Sequence, residues 1–129
     1  MRSGLYVAAV AVLVAAVSSC NLTGPSEPLS GNWRANVGDK FTFAYMSIEQ
    51  RGDQISGTAC ASVTGIVTLY KGVPIRGDAP RVQYDDVATQ TRFSGRRDST
   101  GDIIGVYNDR AYTNRDVRFT RWPNAVCQE

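Results

Sequence analysis

Hydrophobic and polar residues alternate along most of the chain after residue 28. In residues 29–37 the odd positions are apolar or small, including Leu29, Trp33 and Val37, whereas the even positions are polar. An alternation with a period of two predicts a β-strand with one buried face. A helical period of 3.6 residues is not evident in this part of the sequence. The pattern therefore predicts an all-β domain.

Short segments of the same kind follow at regular intervals, separated by turn residues. Phe41, Phe43 and Tyr45 begin an alternation that slips by one residue to Met46 and Ile48, and such a slip predicts a β-bulge or bend. The further predicted strands are 55–63, 66–70, 73–76, 82–87, 91–97, 102–107 and 116–122. Seven to nine short strands are typical of an antiparallel barrel or sandwich. We expect a small antiparallel up-and-down barrel of about eight strands.

Glycine recurs two positions after an apolar residue at four places in the predicted strands. The four segments are ISG at 55–57, IRG at 75–77, FSG at 93–95 and IIG at 103–105. Glycine inside a strand permits the sharp bends that a small barrel needs in order to coil. The alternative is that these glycines let a ligand approach the backbone. We expect strand curvature at these positions.

The N-terminal segment differs from the rest of the chain. Arg2 precedes an uncharged, mostly aliphatic run at 5–17, which has 13 residues. A positive residue before such a run is typical of a secretory signal, and the run is shorter than the ~20 apolar residues of a membrane-spanning helix. The alternative is an uncleaved amphipathic or buried helix.

The residues VSSC at 17–20 resemble the lipobox of bacterial lipoproteins. This resemblance implies that the signal peptide 1–19 is cleaved and that Cys20 carries diacylglycerol. Each buried methylene of an acyl chain contributes ~0.8 kcal/mol, so two or three chains anchor a protein stably to a membrane. Asn21 is not the aspartate that signals inner-membrane retention, so we expect a lipid-anchored protein of the outer membrane.

The lipobox also divides the chain into parts. Residues 20–28 contain one glycine and two prolines, which predicts a lipidated tether. Residues 29–129 would form the barrel domain. The remaining cysteines, Cys60 and Cys127, are an even pair in an exported protein and predict a disulfide. Cys60 is out of phase with its inward-facing neighbours, so the bond would pin the C-terminal tail to the outside of the third strand. Two free thiols are the alternative.

The segments SGNW at 30–33 and VRFTRW at 117–122 resemble calycins, the group of lipocalin-like and avidin-like barrels. Gly31 and Trp33 match the Gly-x-Trp that opens the first strand of a lipocalin, and Arg121 matches an arginine late in the last strand. The resemblance implies that Arg121 packs over the Trp33 indole and closes one end of the barrel, a cation–π contact worth ~0.5–2 kcal/mol. It identifies a scaffold rather than a ligand. Small bacterial protease inhibitors share the SGxW opening and a disulfide.

Charge and residue types restrict the chemistry. The chain has 14 basic and 12 acidic residues, interleaved along its length, and no histidine. Without histidine there is no Ser-His-Asp or Cys-His pair, and the commonest metal ligand is missing. We therefore expect no enzymatic activity, no cofactor and no bound metal. Interleaved charges do not form a basic stripe, so we expect no nucleic-acid partner.

Two features are candidates for a ligand site. Aromatic side chains with a polar tip line ligand cavities and barrel cores alike, and the candidates are Tyr45, Tyr70, Tyr84, Tyr107 and Tyr112. The polar segment 107–116 would be a long loop at the barrel mouth, where recognition surfaces are common. An acidic segment, in which Asp98 and Asp102 flank STG, predicts a turn, with a calcium loop as the alternative.

The sequence leaves the state of the interior open, because eight strands enclose barely enough space for one small ligand. Bulky residues at predicted inward positions favour a filled interior, namely Phe41, Phe43 and Phe93. Small residues of the third strand favour a cavity, namely Gly57, Ala59 and Ala61.

Three functions follow from these alternatives. A hollow barrel would bind a small apolar or amphipathic molecule, or a peptide, at its mouth. A filled barrel would be an accessory subunit of a larger envelope or membrane complex, docked through its outer surface. A protease inhibitor would insert the segment 22–28 into its target.

Overall fold

The computed structural model describes residues 28–64 and 67–127 of the chain. Each of eight antiparallel strands pairs with the next along the sequence, and the last pairs with the first to close a barrel. The strands are β1 (Gly31–Asn36), β2 (Thr42–Arg51), β3 (Gln54–Val63), β4 (Val67–Asp78), β5 (Arg81–Asp86), β6 (Thr91–Arg97), β7 (Ile103–Asn108) and β8 (Arg115–Arg121). The predicted all-β, up-and-down barrel of eight strands is confirmed. Within these described ranges, no helix is long and apolar enough to cross a membrane.

β2 is a regular strand, and the bulge predicted for it is wrong. It pairs with β3 over its whole length without a register shift. Its buried positions are Thr42, Ala44, Met46 and Ile48. Phe43 and Tyr45 therefore face outward, and Phe41, in the preceding loop, is 50% exposed. Both faces of this strand carry apolar residues, so the pattern of the strand alone does not show which face is inside.

The interior of the barrel is filled by large side chains. The largest fully buried ones include Trp33, Tyr84, Tyr107, Phe93 and Phe119. Phe93 lies at the centre, with its ring 5.0 Å from that of Phe119 and 5.6 Å from that of Tyr84, measured between centroids. Ala59 and Ala61 belong to the same packed core. Of the two alternatives that the sequence left open, the interior is the filled one; Phe93 contributes to it, whereas Phe41 and Phe43 do not.

β4 is one strand where the sequence predicted two, at 66–70 and 73–76. Val73 pairs with Ala59 of β3, but Tyr70 pairs with Ala61, so β4 has one extra residue between these pairs. Gly72 adopts the left-handed φ of 68° that the irregularity requires. A bulge changes the phase of a strand by one residue. Consequently Tyr70 and Val73 both point into the barrel.

The glycines of β6 and β7 permit a close approach of the two strands. Gly95 and Gly105 pair directly with each other. A Cβ atom on Gly105 would lie 2.3 Å from the carbonyl oxygen of Ser94 and 2.5 Å from the Cα of Gly95. Only glycine fits such a position. The strands can therefore coil tightly here, with the Phe93 ring covering the inner side.

The C-terminal tail crosses the outside of the barrel and is bonded to β3 through Cys60–Cys127. The predicted disulfide is therefore confirmed. Arg34 of β1 lies between two aromatic rings on this route. Its guanidinium carbon is 3.7 Å from the centroid of Trp122 and 4.6 Å from that of Phe43. Phe43, which faces outward on β2, thus packs beneath the tail rather than in the core.

Candidate functional site at the barrel mouth

One end of the barrel is closed by the segment that precedes β1. The guanidinium carbon of Arg121 lies 4.2 Å from the centroid of the Trp33 ring. Arg121 also donates hydrogen bonds to the carbonyl oxygens of Ser30, at 2.7 Å, and Pro28, at 2.6 Å. The indole Nε1 of Trp33 donates to the carbonyl of buried Leu29 at 3.0 Å. The arginine and the tryptophan therefore fasten the entering chain across this end.

Gly31 belongs to this closure because of its missing side chain. A Cβ atom there would lie 2.8 Å from Nη1 of Arg121, and the residue has a φ of 132°. Glycine thus leaves room for the guanidinium to reach the Trp33 ring. The structure brings Gly31, Trp33 and Arg121 together as one structural unit, in which the Trp33 side chain is fully buried.

The opposite end, which we call the mouth, has three tyrosine hydroxyls just below it. Tyr70, Tyr84 and Tyr107 come from β4, β5 and β7. The Tyr70 hydroxyl oxygen is 2.8 Å from that of Tyr84 and 3.2 Å from that of Tyr107. The Tyr107 hydroxyl donates to Oδ2 of Asp109 at 3.0 Å. Since each hydroxyl has one proton, the donors must run from Tyr84 to Tyr70 to Tyr107 to Asp109.

Burial keeps these three hydroxyls protonated. It is the largest cause that raises the pKa of Tyr70, Tyr84 and Tyr107 above the usual tyrosine value. The two neighbouring tyrosines raise the pKa of Tyr70 further, whereas the hydrogen bond to Tyr70 partly offsets the rise at Tyr84 and Tyr107. The neighbouring Asp109 carboxylate raises the pKa of Tyr84 and Tyr107 in addition. A neutral phenol is a hydrogen-bond donor and a poor nucleophile. The cluster is therefore suited to holding the mouth in shape and to offering polar contacts at its floor.

A cavity of about 240 Å³ opens above the cluster. Its walls are Leu69, Tyr70, Thr89, Thr91, Asp109, Arg110 and Ala111. Thr91 is buried and its hydroxyl lies 2.9 Å from that of Thr89. Arg110 donates to the carbonyl of Ala88 at 3.0 Å, which joins the β7–β8 loop to the β5–β6 loop. The cavity thus combines one apolar wall with several hydrogen-bonding groups.

The β7–β8 loop, residues 109–114, continues across the mouth to the β1–β2 loop. The Tyr112 hydroxyl donates to Oδ2 of Asp39 at 3.0 Å, and its ring lies against Gly38, where a Cβ would clash. The backbone amide of Phe41 and then the Tyr112 hydroxyl lower the pKa of Asp39. The β7–β8 loop is consequently bonded to the β5–β6 loop on one side and to the β1–β2 loop on the other.

Exposed apolar side chains concentrate at the mouth. Among the described residues, the large hydrophobic side chains with substantial exposure are Phe41, Val67, Leu69, Val87, Val106 and Val126. The first four lie in or beside the loops of the mouth, and Val87 is 85% exposed. We call these four residues the apolar rim. Apolar residues gathered at one end of a small domain are typical of an interaction site.

The tyrosines predicted as ligand-binding do not form one group. Tyr70, Tyr84 and Tyr107 converge in the core, and Tyr112 lies against Gly38 and Asp39 of the β1–β2 loop. Tyr45 faces outward on β2, directly opposite Cys60, so its side chain lies on the outer wall rather than in the cavity. Asp109 and Arg110 lie in the segment 107–116, which the sequence analysis predicted as a loop at the barrel mouth. Sequence reasoning did not single out Leu69 or Thr89.

The acidic segment at 98–102 forms a turn around an arginine. Nη1 of Arg118 lies 2.9 Å from a carboxylate oxygen of Asp98 and 2.9 Å from one of Asp102. The hydroxyl of Thr100 and the Arg118 guanidinium lower the pKa of Asp98 to about 2. In residues 28–64 and 67–127 no group of three or more Cys, Asp or Glu is placed to hold a metal ion. The guanidinium thus takes the place between the carboxylates that a calcium ion would need.

No protein family, curated protein or solved structure matches this chain significantly. The resemblances to lipoproteins and to calycins therefore stay predictions. The predicted signal peptide 1–19, the predicted lipidation site Cys20 and the predicted tether as far as residue 27 lie outside the described residues.

Proposed function

We propose that this chain is a non-catalytic binding protein of the bacterial envelope, anchored to the outer membrane through Cys20. Its barrel mouth would bind a small apolar or amphipathic molecule, or the apolar side chains of a peptide. The proposal rests on one observation, the coincidence of the apolar rim with the cavity of about 240 Å³ at the same end of the barrel.

The filled interior decides where such a ligand would lie. Trp33, Phe93 and Phe119 occupy the volume in which a hollow barrel would hold its ligand. A cavity of about 240 Å³ is also below the 300–1,000 Å³ that is usual for a drug-sized ligand. The ligand would therefore insert one short apolar group beside Leu69 and rest the remainder on the rim. Thr89 and Arg110 would supply the polar contacts.

A neutral apolar fluorophore, N-phenyl-1-naphthylamine, tests this proposal. Leu69→Asp places a charge on the wall of the cavity, and Val126→Asp makes the equivalent change in the C-terminal tail, at a residue of similar exposure, 41% against 39%. Burying one leucine side chain contributes about 1.5–3 kcal/mol. We therefore expect Leu69→Asp to lower the affinity for the fluorophore at least about tenfold and Val126→Asp to leave this affinity unchanged. Equal affinities for the two variants would contradict the proposal, as would no binding by the unaltered protein.

The filled interior also favours a second candidate, an accessory subunit of a larger envelope complex. In this case the apolar rim would be covered by a protein partner. Native mass spectrometry of the protein extracted from its own membrane in mild detergent separates the two. A monomer with acyl chains and one additional small mass supports the ligand-binding function, whereas a defined large assembly supports the accessory role.

A further inference from the structure

A groove of about 690 Å³ runs along the outside of the barrel over β5 to β8, away from the mouth. Its lining includes the backbone of the paired glycines Gly95 and Gly105, whose Cα–H groups face the core. Ile104 and Val106 of β7 face outward into the groove, and Val106 is 41% exposed. A groove of this volume falls within the usual range for a small-molecule site.

Two arginines stand directly opposite each other at one end of this groove. Arg81 of β5 pairs in register with Arg96 of β6, and both are exposed residues of the groove wall. Like charges at directly opposite positions of two strands destabilise a sheet. Within the part of the chain that the structure describes, neither side chain has an ion pair or a hydrogen bond. Arg92 on the same face, by contrast, approaches Asp85 at 3.8 Å.

The remaining charges give the groove a direction. Arg118 lies across Ile104 from Arg96, but its guanidinium is already bonded to Asp98 and Asp102 at 2.9 Å each. Asp116 lies beside Val106 at the end nearer the mouth. One end of the groove is therefore cationic, the floor is apolar and the other end is anionic.

We propose that this groove binds a soluble amphiphile with one anionic head group, a carboxylate or a phosphate. The head lies between the guanidinium groups of Arg81 and Arg96, where it relieves their mutual repulsion. A short apolar body covers Ile104 and Val106, and Asp116 opposes the reverse orientation. The groove is a recess in the side wall of the barrel, so it suits one molecule rather than a flat membrane surface. None of these residues lines the mouth, which makes this site independent of the proposed function.

Octyl phosphate below its critical micelle concentration is the probe, added to the full mature chain in a calorimetric titration. Arg81→Gln and Arg96→Gln each remove one guanidinium from the groove. Arg76→Gln is the matched control, because Arg76 is an exposed outward arginine of β4 that does not line the groove. A hydrogen bond to a charged group contributes enough to change affinity at least about tenfold. We expect Arg81→Gln and Arg96→Gln each to lower the affinity for octyl phosphate by at least this factor, and Arg76→Gln to leave it unchanged.

Amide NMR shifts locate the probe. We expect octyl phosphate to shift the amides of Gly95 and Gly105, whereas n-octanol and inorganic phosphate bind at least about tenfold more weakly, because each supplies only one of the two contacts. The two groove variants should melt at the same temperature as the unaltered protein or above it, since they remove a repulsion. Any one of four outcomes would overturn the proposal. They are no binding of octyl phosphate, an equal loss of affinity in Arg76→Gln, amide shifts confined to the mouth, and binding only to vesicles of phosphatidylglycerol.

Discussion

The tyrosine cluster beneath the mouth shows how single residues shape the candidate site. Three phenols enter the core because their hydroxyls satisfy one another, and the last of them bonds to Asp109 at the surface. A buried hydroxyl without a partner costs about 1–3 kcal/mol, so the chain of hydrogen bonds is a condition for packing these rings. It also makes the stability of the barrel depend on the neutral form of each tyrosine.

The first prediction concerns alkaline pH. An unfolded tyrosine has a pKa near 10, and burial raises the pKa of Tyr70, Tyr84 and Tyr107 above it. Folding stability is therefore unaffected by the titration of these tyrosines below pH ~10, where all three are neutral in both states. Above that pH the free energy of unfolding falls by about 1.4 kcal/mol per pH unit for each tyrosine. Urea unfolding between pH 8 and 11 measures the slope. Tyr84→Phe should make the slope of the free energy of unfolding against pH shallower by the contribution of one tyrosine. An identical slope in that variant would contradict the raised pKa of Tyr84.

Among the elements, β4 decides the geometry of the mouth. A regular strand that keeps Val73 and Ile75 inside would turn Tyr70 outward, because alternate residues face opposite sides. The extra residue beside Gly72 reverses this phase. This bulge thus delivers the central hydroxyl of the cluster, and a second register shift, between Ala61 and Ser62 of β3, falls at Leu69 on the cavity wall.

The second prediction follows from this bulge. Gly72→Val places a β-branched residue at a φ of 68°, which costs at least about 1–2 kcal/mol, and it should also rearrange the tyrosine cluster. Gly52→Val is the matched control, because Gly52 has a similar φ of 61° in a turn with open space around it. We expect both variants to lower the free energy of unfolding, but only Gly72→Val to change the near-ultraviolet circular dichroism of the tyrosines. A spectrum unchanged in both would show that the bulge tolerates a side chain.

For the whole molecule, the C-terminal tail connects the last strand to the third. Trp122, Arg34 and Phe43 stack along its path, and Cys127 is bonded to Cys60 at a sequence separation of 67. The tail therefore runs from the closed end of the barrel along the outer face of β1 to β3, away from the groove over β5 to β8.

The third prediction is the energetic role of the disulfide. A cross-link over a loop of this length reduces the entropy of the unfolded chain by an amount worth roughly 4 kcal/mol. We expect the double variant Cys60→Ser, Cys127→Ser to lose about that much in urea unfolding, and the unaltered protein with a reductant to match it. A loss below about 1 kcal/mol in both would mean that the aromatic stack alone holds the tail.

The fourth prediction concerns the anchor. Cys20→Ser removes the thiol that lipidation requires, so we expect the variant in the soluble fraction after cell lysis and the unaltered protein in the outer-membrane fraction. Cys127→Ser is a control that changes a cysteine without touching the lipobox. Retention of Cys20→Ser in the membrane would refute lipid anchoring at this residue.

Much of the fold could be predicted from the sequence, and much of the site could not. The strand positions and the outward face of Cys60 followed from alternation, and the contact between Trp33 and Arg121 was implied by the resemblance to calycins. The convergence of Tyr70, Tyr84 and Tyr107 did not, because it depends on a bulge that resembled a turn at Lys71 and Gly72. Nothing in the local pattern separated Tyr45, which faces outward, from these three.

What the sequence by itself determined is local. The period of two, the turn residues and the even pair of cysteines after residue 20 specify a chain of short strands with one disulfide, because each depends only on neighbouring residues or on residue type. The tertiary structure decided the phase of β2 and β4, the filled interior, the mouth and the facing arginines of the outer groove. These features depend on which residue of one strand lies opposite which residue of the next, and that register is set by packing between residues far apart in the chain.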